Sequence, residues 1–172
     1  LNVGCPSPKV AGKGCFGAAL MDDPILVRDL CQSLHRGSSG RLPISVKCRI
    51  GTDTHMQHKF SKESYASIDG EEEYRRLRHF VETVAAGGVV TDFSVHARIA
   101  VLRKSFSPAD NRKVPPLKYD LVRRLVQDYP ELRFTLNGGI DTLTQAQAEL
   151  QNCPGLTGVM IGRAWVADPW SF

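Results

Sequence analysis

The chain has 172 residues, 42% of them hydrophobic and 23% charged, the proportions of an ordinary soluble domain. No apolar run is long enough to cross a bilayer, which excludes a transmembrane helix, and nothing in the first residues resembles a signal peptide. Basic residues outnumber acidic ones by 22 to 18, and the resulting net charge of +4 suits a polyanionic partner without requiring one.

In chain order, LNV is a short apolar stub, and because the chain starts at Leu1 rather than Met, its natural beginning is expected upstream. GCPSPKVAGKGCFGAAL is glycine-rich and reads as a loop. Asp23 and Pro24 supply an N-cap and a favoured first helical residue. Leu26, Leu30 and Leu34 then repeat at i, i+4 and i+8, predicting a helix that buries this stripe. PISVKCRI is a β-branched run, read as a strand. The polar, aperiodic segment 52–70 is expected to be a mobile surface loop.

A helix follows over 71–86, with three acids in its first turn and Tyr74, Leu77, Val81 and Val84 on one side. VVTDFSVH is a strand. The long connection 97–119 leads to a helix near 120–128. LRFTLN is another strand, and Thr142 with Gln145 forms a capping box that opens the next helix. LTGVMIG is the last strand. Strand, loop and helix thus alternate, with five strands counting the stub, and the strands read as continuously apolar. That pattern predicts an α/β fold with a parallel sheet covered by helices. An open doubly wound sheet and part of an eight-stranded barrel both satisfy it.

Of the five cysteines, no two have C-x-x-C spacing, and the odd count fits a reducing compartment. Cys31, Cys48 and Cys153 read as small buried hydrophobes, and Cys15 is given no role.

The chemistry gathers where strands end. The turn Asn137-Gly138-Gly139 before a helix, and Gly162-Arg163 one βα unit later, suit a phosphate; glycines admit close backbone approach, and arginine offers a fork of donors. No G-x-G-x-x-G follows a strand, which argues against a Rossmann dinucleotide site. Lys47 sits among apolar neighbours and needs an acceptor or anion, unless it snorkels to the rim. His96 ends the next strand and precedes Ala97-Arg98. Cys5, exposed between Gly4 and Pro6, reads as an inert loop cysteine, a nucleophile or a proton donor.

LNVGCPSPKVAGKGCFGAALM, VKCRIG, VHAR, SPADNRKVPPLKYD, LNGGI and VMIGRAWVADP together resemble the tRNA-dihydrouridine synthases, most closely the bacterial-type subfamily that acts on D-loop uridines. The resemblance runs in register over nearly the whole chain apart from the polar segment after Gly51. It implies a TIM (β/α)8 barrel of which residues 1–172 are the C-terminal part, about strands 4–8. The first βα units and a C-terminal helical tRNA-binding domain are then expected outside the chain. It implies FMN as cofactor, NADPH as reductant, hydride transfer from flavin N5 to uracil C6, and a proton from Cys5 to C5.

Lys47, His96, Asn137, Gly138, Gly139, Gly162 and Arg163 match flavin-binding positions. Asn2, Arg98 and Arg112 match positions facing the uracil or the tRNA. The family usually has lysine where this chain has Ile99, and Arg103-Lys104 is the nearby pair that stands to replace it. The partner implied is tRNA, with no metal and no membrane, and the full-length protein is expected to be a cytoplasmic monomer, an organelle remaining open. The competing readings are an FMN barrel related to dihydroorotate or dihydropyrimidine dehydrogenases, and a non-catalytic RNA-binding remnant. The isolated segment is expected to be inactive, with exposed sheet edges.

Overall fold

A computed structural model describes residues 1–12, 16–56, 60–66 and 70–172; Cys15 lies outside them. Helix α1 (Pro24–Gly37) opens as the sequence predicts, Asp23 Oδ1 accepting from the Leu26 N–H at 3.0 Å with Pro24 in the first turn. Strand β1 (Ile44–Arg49) follows, then the short helix α2 (Lys62–Ala66) and the long helix α3 (Gly70–Ala85). Strand β2 (Val90–His96) leads through the short helix α4 (Asp110–Lys113) to α5 (Tyr119–Asp128). Strand β3 (Arg133–Asn137), helix α6 (Leu143–Asn152), strand β4 (Gly158–Met160) and helix α7 (Arg163–Ala167) complete the chain. Thr142 caps α6, its hydroxyl accepting from the Gln145 N–H at 3.1 Å, while Gln145 Oε1 reaches back to the Asp141 N–H at 2.8 Å.

The strands are parallel and lie in sequence order, β1-β2-β3-β4. The stub adds a bridge beside β1 rather than a full strand: the Val3 N–H donates to Lys47 O, and the Lys47 N–H to Leu1 O, each at 2.9 Å. With strands in monotonic order, the right-handed crossovers that parallel strands favour place the connecting helices on one face. That order is compatible with a barrel segment.

The strands are not continuously apolar. Val46, Cys48, Phe93, Val95, Phe134 and Leu136 are buried on one face, packed into the core with Tyr74, Leu77, Val81 and Val84 of α3 and with Leu121, Val122 and Leu125 of α5. Ser45, Lys47, Arg49, Asp92, Ser94, His96, Thr135 and Asn137 alternate with them and project from the other face. Helices and loop residues such as Val3, Ile140 and Leu156 cover the apolar side, and the polar side chains of the other face are left for function.

Two expectations fail. Leu26, Leu30 and Leu34 are not a buried stripe, being 43%, 36% and 48% exposed. Val27 and Cys31, one position further round the helix, are the residues of α1 that are fully buried. Four-residue spacing identifies a face but not what covers it, and the leucines lie on the flank. The segment 52–70, expected to be a mobile surface loop, is packed in part, with Thr52, Phe60 and Tyr65 buried and residues 61–64 exposed. Tyr65 is fully buried and Phe60 nearly so, their rings 5.3 Å apart. Cys31, Cys48 and Cys153 are buried, as predicted.

Candidate active site

The polar ends of the strands meet in a cavity of about 340 Å³ lined by Asn2, Cys5, Lys47, Arg49, His96 and Arg112. The Asn137-Gly138-Gly139 turn and Gly162-Arg163 complete its wall. Strand register brings them together: Asn2 is opposite Lys47, Arg49 opposite His96, His96 opposite Asn137, and Asn137 opposite Met160. Among the residues predicted from sequence, Arg98 does not line the cavity. It is half-buried and donates from Nη1 to Pro115 O, while its buried Nε has no partner among the described residues.

Lys47 finds its acceptor in Asn137, with Nζ 3.1 Å from Oδ1, and the Asn137 amide in turn donates to Met160 O at 2.8 Å. This ladder ties β1, β3 and β4 together below the cavity. Burial holds the Lys47 ammonium below the usual lysine range. Asn2 Oδ1 accepts from the Gly4 N–H at 3.0 Å and so shapes the turn that presents Cys5.

The half-buried Cys5 is placed through its backbone, its carbonyl accepting from the Ala18 N–H at 2.9 Å. Gly17, at φ +59°, lies against this contact; a β-carbon there would come within 2.5 Å of Cys5 O.

Gly138 and Gly139 are held at φ +111° and +70°, where other residues are strained. They are also crowded, since a β-carbon on Gly138 would lie 2.5 Å from His96 Cδ2, and one on Gly139 would lie 2.5 Å from Leu117 Cδ1. The turn therefore serves packing as well as any ligand. Gly162 has open space around it, and Arg163 is exposed.

Arg49 is the site residue that sequence reasoning missed. It is 2% exposed, with Nε 3.0 Å from Gly4 O and Nη1 3.0 Å and 3.1 Å from Ile99 O and Asn111 O. One guanidinium thus holds the Cys5 turn, the chain beyond β2, and the loop that carries Arg112. Burial first, then the cations Arg98 and Arg112, lower its pKa to about 10, and it stays charged at neutral pH. The signal was present: Lys47 and Arg49 are two apart in a strand and must share a face.

Ile99, where lysine was expected, is buried. Arg103 does not replace it at the cavity, because its guanidinium turns to Asp53 and Phe60 O, and Lys104 does not line the cavity either.

Burial, then Arg49, Lys47, Arg98 and Arg163, push the His96 pKa down from 6.5 to about 3, so the ring is neutral at pH 7. Above the unfolded value neither state carries the proton. Between that value and about pH 3 the unfolded chain binds a proton that the folded chain refuses, so acid destabilises the fold. The slope reaches at most about 1.4 kcal/mol per pH unit. His96→Gln is expected to flatten the acid limb of the urea midpoint against pH; an unchanged limb would mean that the folded ring takes up the proton.

Among the described residues, Lys47, Arg49, Arg112 and Arg163 face one lining acid, Asp141, so the cavity favours an anionic ligand with hydrogen-bonding groups. A neutral imidazole and a thiol stand at the same opening.

Residues 1–172 match the family described as Dihydrouridine synthase (Dus). The chain is 42% identical over 170 residues to a tRNA-dihydrouridine(20/20a) synthase of Shewanella oneidensis, covering 99% of this chain and 44% of that protein. A protein of the same name from Pseudomonas syringae is 43% identical over 170 residues, covering 99% and 44%. One from Escherichia coli K12 is 39% identical over 169 residues, covering 98% and 42%. The chain therefore spans less than half the length of these curated relatives.

Proposed function

The chain belongs to the dihydrouridine synthase family, and from that premise we propose that it is part of a flavin-dependent enzyme that reduces uridines of the tRNA D-loop to dihydrouridine. Its stub and four strands are the later strands of the family's TIM barrel. The observation that carries the reading is the single cavity in which Cys5, Lys47, His96, the Asn137-Gly138-Gly139 turn and Arg163 converge.

The residues fit FMN. The glycine turn admits close backbone approach, Arg163 and the neighbouring cations suit a phosphate, and Lys47 and His96 offer polar groups toward a flavin ring. Bound there and reduced by NADPH, the flavin supplies the hydride that the uracil accepts at C6. Cys5 donates the proton to C5, quenching the negative charge that develops on the pyrimidine. Lys47 and the charged Arg49 favour the added electron density. Asn2 faces the base, and Arg112 holds tRNA phosphate at the rim once the uridine has left its stack.

Arg163→Ala in the full-length protein is expected to weaken flavin retention by about tenfold or more, the loss of one charge-assisted contact. The flavin absorbance of the purified protein measures it, and equal occupancy would remove Arg163 from the phosphate site.

A further inference from the structure

The segment after β1 grips both ends of the loop that brings Arg112 to the cavity. At the loop's start, the Asp53 N–H donates to Ala100 O at 3.0 Å, and Asp53 Oδ1 accepts from the Leu102 N–H at 2.8 Å. Arg103 Nε lies 3.4 Å from Asp53 Oδ2, and its Nη2 donates to Phe60 O at 2.7 Å. The Phe60 ring meets Phe106 edge-on at 5.7 Å. At the loop's end, the buried Tyr65 hydroxyl donates to Glu73, whose other carboxylate oxygen pairs with Lys118. The Lys118 ammonium also sits 4.4 Å from the Tyr65 ring, and the Lys118 backbone N–H donates to Ala97 O at 2.8 Å.

Between these ends, fully buried Asn111 exchanges side-chain hydrogen bonds with Val101 N and O at 2.8 and 2.9 Å, and its own carbonyl accepts from Arg49. Arg112 is the next residue and lines the cavity.

We propose that Asp53, Phe60 and Tyr65 form a clasp that pre-positions Arg112 for a polyanionic RNA substrate, with Asp53 and Phe60 as positioning residues; this rests on the reading of the cavity as a tRNA site. A long cationic side chain on a loop fixed at both ends loses less freedom on binding phosphate than one on a loose loop. Lys47 and Cys5 have anchors outside this loop, Lys47 Nζ to Asn137 Oδ1 at 3.1 Å and the Ala18 N–H to Cys5 O at 2.9 Å. The clasp therefore bears on substrate affinity rather than on chemistry or flavin retention.

The test uses full-length Phe60→Ala and the shape-preserving Asp53→Asn. Amides of residues 101–113 are expected to exchange faster with deuterium, while those of the four strands are unchanged. The KM for tRNA is expected to rise about tenfold, as for loss of one charge-assisted contact, with kcat and flavin content retained. Adding Arg112→Ala to Phe60→Ala should raise KM no further than Arg112→Ala alone. Unchanged exchange over 101–113 in both variants overturns the clasp. Faster exchange with unchanged KM, or fully additive effects with Arg112→Ala, overturns its role in binding RNA. A wild-type protein that holds flavin but leaves tRNA untouched would defeat the assignment of substrate, and the exchange measurement would still decide the clasp.

Discussion

Cys5→Ala in the full-length protein is expected to leave the reduction of bound flavin by NADPH unchanged and to lower dihydrouridine formation by about 10²–10⁴-fold, the usual contribution of a positioned general acid. The selectivity follows from how the turn is built. Its contacts are made by backbone: Val3 N–H to Lys47 O, Ala18 N–H to Cys5 O, and Gly4 O to the Arg49 guanidinium. None needs the sulfur. Alanine should therefore keep the cavity and remove only the proton. Quantifying dihydrouridine in tRNA alongside stopped-flow flavin bleaching separates the two steps, and wild-type product from the variant would strike Cys5 from the mechanism.

Gly138→Ala carries the second large effect, this time on structure as well as ligand. At φ +111° an L-residue is strained by about 1–3 kcal/mol. The new methyl would also meet the His96 ring at 2.5–2.8 Å and Leu117 at 3.0 Å. The imidazole cannot yield far, since it ends a central strand between Arg49 and Asn137. We expect a lower urea midpoint and purified protein largely free of flavin. A variant with both wild-type stability and wild-type absorbance would show that the turn has room to relax and that the packing argument is wrong. Gly162→Ala is the control for stability alone, because a β-carbon there meets nothing within 4 Å.

Much of the site was legible because its residues punctuate strand ends, where βα folds place chemistry. Lys47, His96 and the Asn137 turn could be aligned once the strands were located; parallel pairing sets His96 opposite Asn137, and the Lys47 side chain reaches Asn137 Oδ1. Arg49 escaped because β1 was read as uniformly apolar, although its alternation of Ser45, Lys47 and Arg49 with Val46, Cys48 and Ile50 is plain. The leucines of α1 misled for a different reason: periodicity reports a stripe on a helix, whereas burial depends on which neighbour reaches it. The segment after Gly51 has too few apolar residues to announce a core contribution. Phe60 and Tyr65 pack against residues from the far side of β2, a long-range pairing that no local window contains. Arg98 had the right neighbours in sequence and was turned aside by a carbonyl seventeen positions later, Pro115 O.

Arg49 has a consequence for how the active centre comes into being. Its charge is sealed off from water and answered by carbonyls from three separate stretches of chain, so an arrangement lacking any one of them strands a cation in the interior. Half-built versions of the centre are thereby disfavoured. The carbonyls of Gly4, Ile99 and Asn111 should therefore take their places around this one guanidinium together.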